Sequence, residues 1–197
     1  EKVVVAADDC FPIPDQMGFD EAASVGIAYQ TAHFALVERA AVKPGDSVLV
    51  TAATGSVGLA ALQLAKALGC TVIAGLTTPA KANVARGNGA DHVIDLSFEN
   101  PRDAVRDQIH ALTEGAGVDV VIESVGGAVF DGALRSLAWC GRLVVVGFTG
   151  GTIADIKSNY LLLKNIAVTG VNWANYRDRH PEQVRRVQDE IFRMYLD

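Results

Sequence analysis

Residues 53–58 read Ala-Thr-Gly-Ser-Val-Gly. They follow an apolar run, 48-VLVT-51, and lead into Val57 to Leu68, where apolar residues recur at spacings of three and four. A strand, a glycine turn and a helix in that order make an anion site. The first turn of the helix leaves N–H groups unpaired, and its dipole presents a positive end. Glycine at 55 lets backbone approach a pyrophosphate, and glycine at 58 lets helix and strand close on one another. Thr54, Gly55, Ser56, Val57 and Gly58 are therefore the expected phosphate contacts. The first glycine of the dinucleotide fingerprint is replaced by Ala53, so the letters alone also suit a plain tight turn. The strand before and the helix after are what favour the nucleotide.

The next strand tests that expectation. An acid about 20 residues past the loop would bind a ribose 2′-hydroxyl and repel a 2′-phosphate. Here the strand ends in 74-AGLTT-78, without Asp or Glu. Thr77 and Thr78 can donate hydrogen bonds, and Lys81 adds a positive charge a few residues on. The expectation is NADPH as cofactor, with NADH possible because no arginine offers a bidentate grip.

These residues need a frame. Strand-like runs lie at 48–51, 71–75, 92–95, 119–123, 143–147 and 166–171, rich in Val and Ile and without strict polar alternation, as in strands covered on both faces. Helical patterns lie between them, at 57–68 (closed by Gly69), 79–88, 102–112, 128–137 and 181–196. Residues 20–40 read as one helix or two broken ones. Alternation of this kind predicts an α/β, Rossmann-type doubly wound parallel sheet of about six strands. Residues 1–18, with the strand-like 2-KVVVAA-7 and two prolines, read as a lead-in to a domain over 19–197.

Composition narrows the partners. The chain has 197 residues, half hydrophobic and 20% charged, with a net charge of −6. An acidic balance argues against nucleic acid, which needs a basic footprint. No apolar run reaches membrane-spanning length, and no signal peptide is visible; a cytoplasmic protein is expected. Cys10, Cys70 and Cys140 are odd in number and widely spaced, so neither a disulfide framework nor a zinc spacing follows. The sequence begins at Glu1 rather than methionine and stops within a helical pattern, which suggests a piece of a longer protein.

Tyr160 and Lys164 form Y-x-x-x-K, the catalytic pair of short-chain dehydrogenases. Three features reject that assignment. Leu59 stands where that family's loop needs a later glycine, strand-like 166-IAVTGV-171 begins directly after Lys164, and no catalytic serine follows the fifth strand in 147-GFTGG-151. A short structural helix accounts for the pair better.

The segments 48-VLVTAATGSVGLAALQLAKALGCTVIA-74, 89-GADHVID-95, 119-DVVIESVGG-127 and 141-GRLVVVG-147 together resemble the medium-chain dehydrogenase/reductase superfamily, in its quinone oxidoreductase (zeta-crystallin-like) branch. The segment 12-PIPDQMGFDEAASVGIAYQTAHFAL-36 resembles that family's linker helices. The resemblance covers nearly the whole chain. It implies the cofactor-binding domain of a two-domain enzyme, with residues 1–18 a remnant of a largely absent GroES-like catalytic domain. It places Thr31 near the nicotinamide, Gly147 and Phe148 at the end of the fifth strand beside the nicotinamide ribose, and Val125 and Gly126 at the crevice edge. It also places Leu96 where relatives often carry Tyr or His against the adenosine phosphate. Zinc-dependent relatives carry a cysteine ligand at the position of Ile27, so no metal is expected.

The implied chemistry is hydride transfer from NADPH to a small electrophilic substrate: a quinone, an enone or a similar activated alkene. No residue here stands out as the general acid; His33, His92, His110 and His180 are scattered, and the catalytic residues stay unknown. Two alternatives stay open, a stand-alone nucleotide-binding or redox-sensing module without catalysis and, less favoured by the T-T-x-x-K and GADHVID segments, another nucleotide-binding α/β enzyme such as a methyltransferase. The apolar 166–171 run, as an edge strand without charge or proline, would invite pairing with a second copy; a homodimer is expected.

Overall fold

The structure is a computed structural model that describes residues 2–196; the expected outer boundaries at residues 1 and 197 lie outside the described residues. Six strands form one sheet: β1 Ser47–Val50, β2 Thr71–Leu76, β3 His92–Asp95, β4 Val118–Glu123, β5 Leu137–Val145 and β6 Ala167–Gly170. Every neighbouring pair is parallel, and the spatial order is β3-β2-β1-β4-β5-β6. This is the doubly wound arrangement expected from the alternating pattern. Its reversal point falls between β1 and β4, where ligands of such sheets bind at the carboxyl ends of the strands.

Helices α1 (Phe19–His33), α2 (Ser56–Ala67), α3 (Ala82–Gly87), α4 (Pro101–Leu112), α5 (Gly127–Arg135), α6 (Asn159–Lys164), α7 (Trp173–Arg179) and α8 (Pro181–Leu196) complete the fold. The period of two along each strand sorts the core. Val48 and Val50 of β1 face a cluster with α2 residues Ala60, Ala61, Leu64 and Ala65. Leu49, between them, faces the opposite cluster with Val105 and Ile109 of α4 and Phe130 and Ala133 of α5. Strands buried on both faces need apolar residues at consecutive positions, which is why these runs lack polar alternation. A third cluster joins α1 and α8 around Phe34, Val184, Val187 and Ile191, and Phe11, Ile13 and Met17 of the lead-in pack onto it.

Several expected boundaries shift, each for a local reason. The 20–40 segment is a helix kinked at Gly26 (φ −40°, ψ −107°) that continues into a wide π-helical turn, Phe34–Arg39. The 79–88 helix begins with a 3-10 turn, Pro79–Lys81, where proline supplies no N–H. The 128–137 helix stops at Arg135, and Leu137 already belongs to β5. β5 starts six residues before the apolar run at 143–147 and ends at Val145. Its first half carries Trp139, Cys140 (φ 62°) and Gly141 and so does not read as a strand. The expected strand at 2–7 does not form: Val3, Val4 and Val5 are 81%, 99% and 54% exposed. No neighbouring strand among the described residues pairs with them.

Candidate functional site

The loop after β1 is shaped by its own backbone. Ala52 takes a left-handed conformation (φ 49°), and Gly55 N donates back to Ala52 O at 2.9 Å. Leu59 N to Gly55 O, 2.8 Å, is the first bond of α2. No side chain caps that helix, whose N-cap is Gly55. The two glycines differ in what they do. A Cβ on Gly58 would lie 2.4 Å from Ala52 O and 2.7 Å from Ala53 Cα, so helix and loop touch there without room for a side chain. A Cβ on Gly55 would meet only Ala52 O, at 3.4 Å. The protein's own packing therefore does not demand glycine at 55, and the open N-terminus beside it faces solvent. Thr54 is half-buried, and Ser56 and Val57 form the first helical turn.

The other expected residues lie at the same ends of the strands. Thr77, Thr78 and Lys81 follow β2 and are exposed. Val125 and Gly126 follow β4 at the reversal point. Gly147 and Phe148 were expected at the end of the fifth strand; β5 ends at Val145, and both lie in the loop beyond it. That loop is tied to the β4 turn: Thr149 N donates to Ser124 O and Gly150 N to Val125 O, both at 2.9 Å, and Gly127 N to Thr152 O at 3.1 Å. Gly126 (φ 84°) has no space for a side chain, because a Cβ would stand 2.3 Å from Thr152 O. Thr31, buried in α1, shares a cleft of about 570 Å³ with Val146, Phe148, Asn172 and Trp173. The geometry thus groups Thr31 with Phe148 and ties the Val125–Gly126 turn to the Phe148 loop. Thr77, Thr78 and Lys81 stand apart, beyond β1 on the β2 side. Leu96, where the resemblance implies a departure from the Tyr or His of relatives, is turned away from solvent. It is 3% exposed, and a Cβ on Gly75 would come within 3.0 Å of its Cδ1, so the position points into the core.

One buried carboxylate was not anticipated. Glu123, fully buried at the end of β4, accepts from Val125 N at 2.8 Å and Gly126 N at 3.0 Å on Oε1. Thr51, just past β1, donates its hydroxyl to the same oxygen at 3.2 Å. Burial pushes the Glu123 carboxyl above its ordinary value, and the Gly126, Val125 and Thr51 donors oppose that. An acid directly after the apolar 120-VVI-122 was its sequence signal. Tyr160 and Lys164 sit on α6. Lys164 Nζ donates to Arg135 O at 3.0 Å and also to Leu137 O, tying the end of α5 to the start of β5. Burial lowers its pKa. The pair is structural.

Ile27, where zinc-dependent enzymes would need a ligand, is 61% exposed and offers none. No group of three or more His, Cys, Asp or Glu comes together among the described residues.

A six-stranded parallel sheet in this order, with an uncapped glycine-led helix at its reversal point, is a Rossmann-type nucleotide-binding fold. Residues 56–190, more than half of the chain, match the family described as zinc-binding dehydrogenase, and the chain belongs to that family. Within the medium-chain superfamily it falls in the quinone oxidoreductase-like branch. It is 41% identical over 181 residues to quinone oxidoreductase-like protein 2 of Bos taurus, which covers 91% of this chain and 51% of that protein. Quinone oxidoreductase of Escherichia coli complexed with NADPH superposes with a TM-score of 0.84 at 30% identity, over 95% of this chain and 56% of the other. A putative enoyl reductase domain of a polyketide synthase superposes with a TM-score of 0.76 at 30% identity, over 87% of this chain and 93% of that one. The chain spans about half the length of the curated relatives it matches.

Proposed function

We propose that this chain is the NADPH-binding domain of a zinc-independent oxidoreductase acting on a small electrophile such as a quinone, an enone or a similar activated alkene. The observation that carries the reading is the uncapped N-terminus of α2 beside Gly55, whose missing side chain leaves space the protein itself does not use. The N–H groups of Ser56, Val57 and Gly58 would hold the pyrophosphate. Thr77, Thr78 and Lys81 would hold the 2′-phosphate, with no acid nearby at the end of β2 to repel it. The Val125–Gly126 turn, Gly147, Phe148 and Thr31 would border the nicotinamide end. When bound, the cofactor supplies the hydride; the protein orients it and shields the reacting face from water. Relatives that are quinone and enoyl reductases support this acceptor class. Ile27 in place of a thiolate supports independence from zinc.

Titration calorimetry with NADPH and, separately, NADH tests the reading. Tighter binding of NADPH supports it, whereas equal affinity would remove the 2′-phosphate assignment. A folded chain that binds neither would overturn the cofactor site.

We also propose that two copies pair through β6. It lies at the sheet edge, hydrogen-bonded on one side only, with Ala167 and Gly170 exposed. Leu162 and Leu163, just before it on α6, are 78% and 67% exposed. Light scattering reads the outcome, and a monomer at micromolar concentration would overturn it. Free thiols at Cys10, Cys70 and Cys140 suit the cytoplasmic location that goes with this reading. No helix among the described residues is long and apolar enough to cross a membrane.

A further inference from the structure

Trp173 opens α7 directly after β6 and borders two concavities. On one side is the cleft of about 570 Å³ that holds Thr31, Val146 and Phe148. On the other is a mainly apolar pocket of about 500 Å³ between α1, α7 and α8, lined by Phe11, Ile27 and Phe192 together with Asp9, Arg177 and Arg185. The indole Nε1 donates to Gln30 Oε1 at 2.7 Å, and Gln30 Nε2 donates to Gln188 Oε1 at 2.6 Å. Both glutamines are 2% exposed, and they sit on α1 and α8 within the apolar cluster around Phe34 and Val184. The Arg177 guanidinium lies 5.4 Å from the Trp173 ring centroid.

Two buried amides are an odd choice for that seam. Leucine or methionine would fill the space without any polar group to satisfy. What the amides achieve together is a hydrogen-bonded chain from α8 through α1 to the indole, which fixes the ring's depth and tilt. Satisfied buried networks of this kind rigidify and specify one arrangement.

We infer that Gln30 and Gln188 are positioning residues for Trp173, and that its indole is the fixed wall at the nicotinamide end of the cleft. It separates the cofactor from the apolar pocket, which would take a flat apolar acceptor. The inference rests on the cofactor reading above.

The chain has two tryptophans, and Trp139 is 66% exposed on β5, so Trp139→Phe leaves Trp173 as the only tryptophan, excited selectively at the red edge where tyrosine does not absorb. The oxidised nicotinamide ring quenches an excited indole by contact and does not absorb its emission. In the W139F chain, saturating NADP⁺ is expected to lower emission by about twofold, as ring-on-ring contact requires, while saturating adenosine 2′,5′-bisphosphate, which lacks the nicotinamide, leaves it unchanged. Gln30→Leu should then weaken NADP⁺ about tenfold and the bisphosphate by less than about twofold. Trp173→Leu, at a half-buried site, should show the same split and covers the case in which Q30L does not fold. Equal quenching by both ligands would overturn the wall. Equal weakening of both ligands, or of neither, would show that the glutamines only hold the helices together. If the unmutated chain binds neither ligand, the cofactor reading falls and this inference falls with it.

Discussion

Thr51 and Glu123 meet across the gap between β1 and β4, Oγ1 to Oε1 at 3.2 Å, and the same hydroxyl accepts from Ser124 N at 2.9 Å. The two strands are neighbours, but the helices that follow them pack on opposite faces of the sheet. The gap between their ends is where such a sheet opens, and here a carboxylate and a hydroxyl join its two sides. With Val125 N and Gly126 N also bound to Glu123, the turn that borders the candidate nicotinamide end is held from beneath.

Replacing Glu123 by leucine leaves those backbone donors buried without an acceptor. A loss of about 2–3 kcal/mol is expected from chemical denaturation. The pH dependence carries a sign. Burial raises the folded-state pKa above its ordinary 4.5. The raised value is a stabilising contribution that is complete below the unfolded pKa and is lost as pH rises through the folded one. The stability gap between wild type and E123L should therefore be widest near pH 4 and narrow toward neutrality. A gap that widens with pH would show that the ionised form is the one the turn prefers.

The two loop glycines should separate fold from binding. Gly58→Ala puts a Cβ 2.4 Å from Ala52 O, against backbone that cannot move aside, and is expected to cost about 3 kcal/mol. Gly55→Ala meets only one atom, at 3.4 Å. Its melting temperature should stay near wild type while NADPH affinity falls about tenfold or more, because the methyl group occupies the anion's approach. Thermal melts and calorimetry on the same samples read both effects. Unchanged affinity in G55A would move the phosphates away from this loop.

Lys81 should decide between the two nicotinamide cofactors. Its side chain is exposed beside Thr77 and Thr78, so its attraction for a 2′-phosphate is screened and worth about 1 kcal/mol. Lys81→Ala is expected to weaken NADPH about fivefold and leave NADH unchanged, with the effect shrinking at high salt. Equal loss for both cofactors would place Lys81 elsewhere on the nucleotide.

Much of this was legible in the residues. The strand–helix alternation, all six strands and the role of Gly58 follow from apolar period and glycine spacing, both local signals. Other features depend on what a segment meets. The run 2-KVVVAA-7 has strand letters but, among the described residues, no strand beside it. β5 passes through Trp139, Cys140 and Gly141 at an irregularity, where its register on β4 jumps from Leu137 opposite Val118 to Arg142 opposite Val120. The burial of Leu96 against Gly75 of the neighbouring strand likewise shows only once β2 and β3 are paired. Gln30 and Gln188 looked unremarkable because their partners lie on distant segments, as does Thr51, the side-chain partner of Glu123. Only the fold brings Gln188 to Gln30, 158 residues away.

His33 gives the last test, on the seam between α1 and α8. Its side chain is 4% exposed, Nε2 lies 3.0 Å from Glu190 Oε2, and Nδ1 is buried without a partner. Burial lowers its pKa below the ordinary 6.5 and Arg186 adds to that, while Glu190 and Glu38 pull it back only in part. The neutral ring, donating to Glu190, is thus the form the fold favours. A lowered folded pKa means a contribution that is complete above the unfolded pKa and is lost as pH falls through 6.5 toward the folded value. Over a series from about pH 7 to pH 5 the wild type should lose stability from this residue as pH falls. His33→Gln, which keeps a donor for Glu190 and cannot ionise, should flatten that slope in denaturation series across the range. An unchanged slope in H33Q would assign the acid sensitivity to the carboxylates instead. A slope of opposite sign would mean that the charged imidazole is the form bound to Glu190.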